Sequence, residues 1–198
     1  MSELPVTAAD VRGRNCVFAM APNDPDGAAV AARKIKHPWY RCQALARAAE
    51  FSKGSKRSVL VQAALQAAYE QDEPNRIVTV SSWPVRAMTV VSPDQTADVV
   101  WQLVRIAETE PHNLRRAHAL QALARCVSHL PELLGLIVPA LVVTILSGGG
   151  SRMDRVIRDT FGLVRTTNPE LLYTLALHHK ANRQQEKLLA SISQDLGN

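Results

Sequence analysis

The sequence predicts an all-α fold built from about four to five stacked helix pairs, and three observations carry that prediction. A pattern is written twice, seventy-five positions apart: Arg41-x-x-Ala44-Leu45 within WYRCQALARAAEF and Arg116-x-x-Ala119-Leu120 within NLRRAHALQALARCV. Both copies follow a Pro-containing turn, and a weaker copy, SSWPVRAMTVV, lies between them with Arg86 in the corresponding place. Degenerate recurrence of this kind marks units that bury one flank against their neighbours. The chain is also 46% hydrophobic but only 5% aromatic, so burial rests on Ala, Leu and Val, whose small side chains let helices approach closely. Finally, apolar residues recur at three- and four-residue intervals, the period of a helix with one buried stripe.

The elements follow in order. Residues 1–26 form a lead-in, a short helix followed by the turn formers of APNDPDG, and residues 27–198 form one helical domain. AAVAARKI (28–35) is helical by propensity and ends at His37-Pro38, because the residue before proline is pushed out of the helical region. A helix over 38–52 carries the stripe Cys42, Leu45, Ala46, Ala49, and one over 56–71 carries Leu60, Ala63, Ala64, Ala67, Ala68, with SKGSK between them and QDEPN after. The β-branched run RIVTVSS alone could be a strand. It occupies the place that ARKIK holds before the first arginine copy, so it is read as a short helix, with a second helix opening at Trp83 or Pro84 and stopping at SPDQ. Val100, Leu103, Val104 and Ala107 stripe the next helix, and Trp101 is placed in that apolar stripe. After EPHN, the second strong copy buries Leu120, Leu123, Ala124 and Val127. Pro131 opens LLGLIVPALVVTIL, which Gly148-Gly149-Gly150 ends. Ser151-x-x-Asp154 is expected to cap a helix striped by Met153, Val156, Ile157, Thr160 and Val164. Asn168-Pro169-Glu170 begins the last long helix, whose polar portion KANRQQEKLLASIS suits a terminal repeat with one solvated side.

Composition narrows the function classes. Cys16, Cys42 and Cys126 form no CxxC or even-numbered framework, and no basic start precedes an apolar run with a cleavage site, so a reducing cytoplasm is expected. LLGLIVPALVVTIL is too short for a bilayer and carries Pro139, which points to a core helix and no membrane association. The net charge of +5 is uneven. Residues 33–57 are basic and opposed only by Glu50, the middle is acidic, and 115–165 is basic again. Such a distribution suits an anionic ligand, although solvated helix faces produce it too.

The arginines at 41, 86, 116 and 155 are 45, 30 and 39 residues apart, near the roughly 40 to 47 of HEAT and armadillo units. Over residues 27–179 the chain resembles an irregular HEAT-like α-solenoid. Over about 77–177 it also resembles the HEAT-like alkylpurine DNA glycosylases, in the order and spacing of LRRAHALQALARCV, an intervening helix and MDRVIRDTFGLVRTTNPELL. That resemblance implies a DNA-facing role for Arg116 and places SSWPVRAM where the family has tryptophans followed by a catalytic Asp. Here Pro84 stands near a family Trp and Met88 near the Asp, so the resemblance does not carry the catalytic residue across.

Arg41, Arg86, Arg116 and Arg155, with Trp39 and Trp83, are therefore the candidate binding residues of a groove. The arginines either present guanidinium forks to carboxylates or phosphates, or pair with acids and helix C-terminal carbonyls of adjoining repeats. Trp39 and Trp83 either stand exposed as anchors or staple the turns. His178-His179, His118 and His129 lack HExxH or any Cys/His cluster, so no metal ligand is assigned. Gly148-Gly149-Gly150-Ser151-Arg152 lacks the Lys-Ser/Thr of a phosphate-binding loop. GxSxG is absent, and no histidine is followed by the Glu that the HEAT-like deoxyhypusine hydroxylases require for iron. No catalytic residue and no cofactor are expected. The function expected is a non-catalytic helical-repeat scaffold for a protein partner. The alternative is a basic HEAT-like nucleic-acid binder using 33–57 and 115–165 to follow phosphates, with Trp39 or Trp83 on a base. The oligomeric state stays open.

Overall fold

A computed structural model describes residues 5–90 and 93–196, and these form eleven α-helices and no strand. They are α1 (Ala8–Met20), α2 (Pro25–Arg33), α3 (Pro38–Phe51), α4 (Gly54–Tyr69), α5 (Pro74–Met88), α6 (Pro93–Glu108), α7 (Asn113–Cys126), α8 (Pro131–Leu146), α9 (Ser151–Thr167), α10 (Leu172–His178) and α11 (Arg183–Leu196), with a 3-10 turn at Pro169–Leu171. Helix starts are written locally. Thr7 and Asp10 make a reciprocal capping box at α1. Asp24 accepts from Gly27 N at 2.8 Å ahead of Pro25, where a missing N–H costs nothing. Pro38 opens α3 with His37 extended, as expected, and the His37 ring accepts from Trp39 N.

Successive helices pack on each other, and alternate ones pack as well: α1 on α3, α3 on α5, α5 on α7 and α7 on α9 in one row, α6 on α8 and α8 on α10 in the other. Alanines let the first row close up. Ala44, Ala46, Ala48 and Ala49 of α3 and Ala117, Ala119 and Ala124 of α7 are all inaccessible to solvent. The core has two clusters that meet in α5. Val80, Ala87 and Met88 join the N-terminal cluster with Leu45, Leu60 and Leu65, whereas Val78 and Val85 join the C-terminal one with Leu120, Leu141 and Ile157.

Several expectations are corrected. RIVTVSS and SWPVRAM form one helix, α5, with Pro84 inside it rather than at its start. A proline there leaves the carbonyl four residues earlier without its N–H. That carbonyl, Val80 O, accepts from the Cys42 thiol of α3 at 3.5 Å, so the neighbouring helix repairs the gap. Pro139 likewise sits inside α8, where the carbonyl it strands belongs to solvent-exposed Gly135. The SPDQ turn falls partly outside the described residues. Trp101 is 57% exposed and lies off the buried stripe of α6, under the Arg105 guanidinium. The N-cap of α9 is Gly150, at φ 91, where only glycine is unstrained, and Ser151 is already helical. Asp154 instead accepts from Lys180 N at 3.1 Å. The expected last long helix is broken between α10 and α11. Gln185 Nε2 donates to the carbonyls of Ala176, Leu177 and His179, closing α10, while Asn182 caps α11 by accepting from Gln184 N. Among the described residues no helix is long and apolar enough to cross a membrane.

Candidate interaction face

The marker arginines separate into two kinds. Arg41 Nη1 donates to Ile35 O at 3.2 Å and Lys36 O at 2.8 Å, and its Nη2 reaches Glu70 at 2.6 Å. Arg116 Nε donates to Glu110 O at 2.8 Å. In both cases the guanidinium in the first turn of an odd helix grips the carbonyl six residues earlier, at the end of the preceding connection. Arg86 and Arg155 are solvent-exposed, on α5 and α9. Trp39 is half-buried and packs on the N-terminal cluster, as does Trp83. The Trp83 ring lies 5.4 Å from Phe18 and 4.9 Å from the Arg86 guanidinium. Pro84 and Met88 are buried, so neither position of the glycosylase comparison reaches solvent.

Around Arg86 the fold assembles a face that the helix-start pattern does not mark. Glu50, near the end of α3, accepts from Arg86 Nε and Nη2 at 2.8 and 2.6 Å on one oxygen and from Arg47 Nη1 at 2.6 Å on the other. Arg57 of α4 donates to the carbonyls of Ala49, Ser52 and Glu50, capping α3. Arg47, Glu50, Arg57 and Arg86 line a depression of about 370 Å³ with Ala87 and Val90. The Arg47 guanidinium stands over Phe51 at 4.5 Å, and that of Arg14, from α1, stands over Tyr40 at 5.4 Å while bonding Gln43. Towards α7, Arg86 is close enough to Cys126 to favour its thiolate, but burial dominates and pushes that thiol up to about 12. Arg125 of α7 pairs with Asp159 of α9 at 3.5 Å, and Arg155 lies one turn before Asp159.

Arg47, Arg86 and Arg125 thus stand on successive odd helices, and they are 39 residues apart each time. A signal for them exists in the sequence. The pentapeptide QALAR occurs unchanged at 43–47 and 121–125, and SWPVR fills 82–86 halfway between. The fourth copy, FGLVR, slips by one, and its Arg165 bonds Ser191 of α11. Beneath these arginines two buried donors have no hydrogen-bond partner among the described residues: Arg47 Nε and, one turn before Arg125, Gln121 Nε2.

The other sequence candidates do not gather. The basic stretch 33–57 is divided by α3: Lys34 and Lys36 precede its first turn, and Lys53 and Lys56 follow its last. A helix of 14 residues keeps the two ends about 21 Å apart. His178 reaches Gly148 O and His179 reaches Arg158, and among the described residues no group of three or more His, Cys, Asp or Glu could hold a metal. No protein-family model matches the chain, and no curated protein or solved structure is significantly similar to it.

Proposed function

We propose that this chain is a non-catalytic helical-repeat scaffold of the HEAT-like solenoid kind, and that the face of its odd helices holds a protein partner. The observation that carries this reading is the arginine row: Arg47, Arg86 and Arg125, one each on α3, α5 and α7 at a constant sequence interval, with side chains 30%, 46% and 54% exposed. The packing agrees with a stack. Odd helices from α1 to α9 close on one another, whereas α4 and α6 each pack on α5, which favours the odd row as the inside of a bend.

A protein segment fits this face better than a nucleic acid. Trp83 has Phe18 on one side and Arg86 on another, and Tyr40 lies under Arg14, so those rings are already occupied as stacking platforms. Glu50 and Asp159 are paired into the positive row, so it offers separated cationic steps rather than the continuous track that suits a backbone with a phosphate about every 3.4 Å. The lysines of the basic stretch 33–57 lie at the two ends of α3 rather than along one track. Selection from a displayed random-peptide library on the immobilised chain tests the reading. The expected result is enriched peptides that no longer bind when Arg47, Arg86 and Arg125 are all changed to Glu while the circular-dichroism helix signal is kept. Peptides indifferent to the triple change, or retention of DNA alone with a steep salt dependence, would overturn it.

A further inference from the structure

Building on that reading, we infer that the depression bordered by α3, α4 and α5 is a phosphoryl site, which takes one phosphorylated side chain of the protein partner through Arg47, Arg57 and Arg86. The three guanidiniums converge on a single residue. Glu50 accepts from Arg47 Nη1 at 2.6 Å on one carboxylate oxygen and from Arg86 Nε and Nη2 at 2.8 and 2.6 Å on the other, while its carbonyl accepts from Arg57 Nη2 at 3.4 Å. Like charges gathered around one residue repel one another unless an anion joins them, and Glu50 supplies only one. Among the described residues lining the depression three arginines stand against one acid, an excess of two positive charges. Donors are left over as well. Arg47 spends Nη1 on Glu50, Arg86 spends Nε and Nη2 there, and Arg57 spends Nε and Nη2 on the carbonyls that end α3. That leaves Arg47 Nη2, Arg57 Nη1 and Arg86 Nη1, one from each of three helices.

The chemistry of the ligand follows from that arrangement. A carboxylate is planar, carries one charge and is held best by the two parallel donors of a single guanidinium fork. A phosphoryl group carries a charge of about −1.5 to −2 at neutral pH and three strong acceptor oxygens, so it answers both the excess charge and the donors offered by three separate arginines. The space suits a side chain rather than a bare ion. At about 370 Å³ the depression falls at the lower end of ligand pockets, which run from about 300 to 1,000 Å³. Ala87 and Val90 give it an apolar wall for the carbons that carry the phosphoryl group. It is also one step and not a track, because the next arginine of the row, Arg125, pairs with Asp159 of α9. An unmodified Glu of the partner uses the same arginines, but more weakly.

Fluorescence anisotropy on the full chain tests this, with labelled peptides of one otherwise uncharged sequence whose central residue is Ser, Glu or phosphoserine. Inorganic phosphate and a single-stranded DNA oligonucleotide serve as competitors. The phosphoserine peptide is expected to bind about tenfold tighter than the Glu peptide. Arg86→Gln, at an exposed position and with the circular-dichroism helix signal kept, should weaken the phosphoserine peptide about tenfold, the scale of one charged contact, and Arg86→Lys should recover only part. The Ser peptide should change by no more than about twofold. Arg125→Gln, outside the depression, should leave the ratio of phosphoserine to Ser affinity as it is, because no pair is shared. Equal affinity for the phosphoserine and Glu peptides, a ratio indifferent to Arg86→Gln, displacement by DNA or inorganic phosphate at concentrations as low as those of the peptide itself, or no binding at all would overturn the phosphoryl site. If library-selected peptides still depend on Arg47, Arg86 and Arg125 while phosphorylation adds nothing, only the phosphoryl assignment is wrong. If neither set depends on these arginines, the scaffold reading falls as well.

Discussion

Asp10 accepts from the Thr7 hydroxyl at 2.5 Å, from Thr7 N at 3.0 Å and from His37 N at 3.0 Å, so one carboxylate closes the start of α1 and ties it to the turn before α3. The Thr7 hydroxyl is the main cause that holds its pKa at about 2, with the backbone donors adding to it against the opposing effect of burial. A folded-state pKa below the unfolded value of 3.8 makes the contribution complete above about pH 4, and it is lost as pH falls through about 2. Asp10→Asn should therefore lower the urea midpoint at pH 6 by an amount that shrinks towards zero at pH 2. A deficit that stays constant over that range would remove Asp10 as the source. The cysteines give a second residue-scale expectation. Burial raises the Cys42 and Cys126 thiols, and Cys42 also donates to Val80 O, whereas Cys16 is exposed. Alkylation at pH 8 should modify Cys16 alone until the chain unfolds, read as a single mass increment. Equal labelling of all three in the folded chain would contradict the burial of Cys42 and the partial burial of Cys126.

At the scale of the element, Arg41 and Arg116 join the start of an odd helix to the end of the connection before it, each through the carbonyl six residues earlier. A charged donor on a half-buried carbonyl is worth about 1.5 to 3 kcal/mol. Arg116→Ala should cost about 1 to 2 kcal/mol in urea unfolding, and Arg116→Lys should recover only part, since an ammonium lacks the planar fork. Full recovery by Lys would mean that charge alone matters there. These helices were legible because their signals are local: 38–52 was expected where Pro38–Phe51 is found, on a stripe and an initial proline. Pro84 was misread as a helix start because its tolerance depends on a thiol 42 residues earlier in the chain, which no local pattern encodes. The break before α11 was missed in part for the same reason, since Asp154 of α9 holds Lys180 N from a distant element while Gln185, in α11 itself, closes α10. The arginine face was half legible. Arg86 and Arg155 were identified, but Arg47 and Arg125 sit in the QALAR copies that both quoted motifs contain, and their meaning appears only when Glu50 is seen to bridge α3 and α5.

For the whole molecule, the decisive property is that the core is two clusters sharing α5 rather than one closed centre. If each helix gains its burial from adjacent elements only, a cavity in one cluster should be felt mainly by that cluster. Leu45→Ala in α3 and Leu141→Ala in α8 each remove a side chain at most 2% exposed, for a cost of about 2 to 5 kcal/mol. Native-state hydrogen exchange should then show Leu45→Ala lowering protection in α2 to α4, leaving α8 and α9 near wild type, with α5 intermediate. Leu141→Ala should give the mirror image. A uniform loss across all the helices in both variants would mean one cooperative globule, and the arginine row would then be an accident of a closed bundle. Loss confined to the mutated side would make the odd-helix face a surface of independently stable steps, in which α3, α5 and α7 could each keep its arginine in place for a ligand that spans all three.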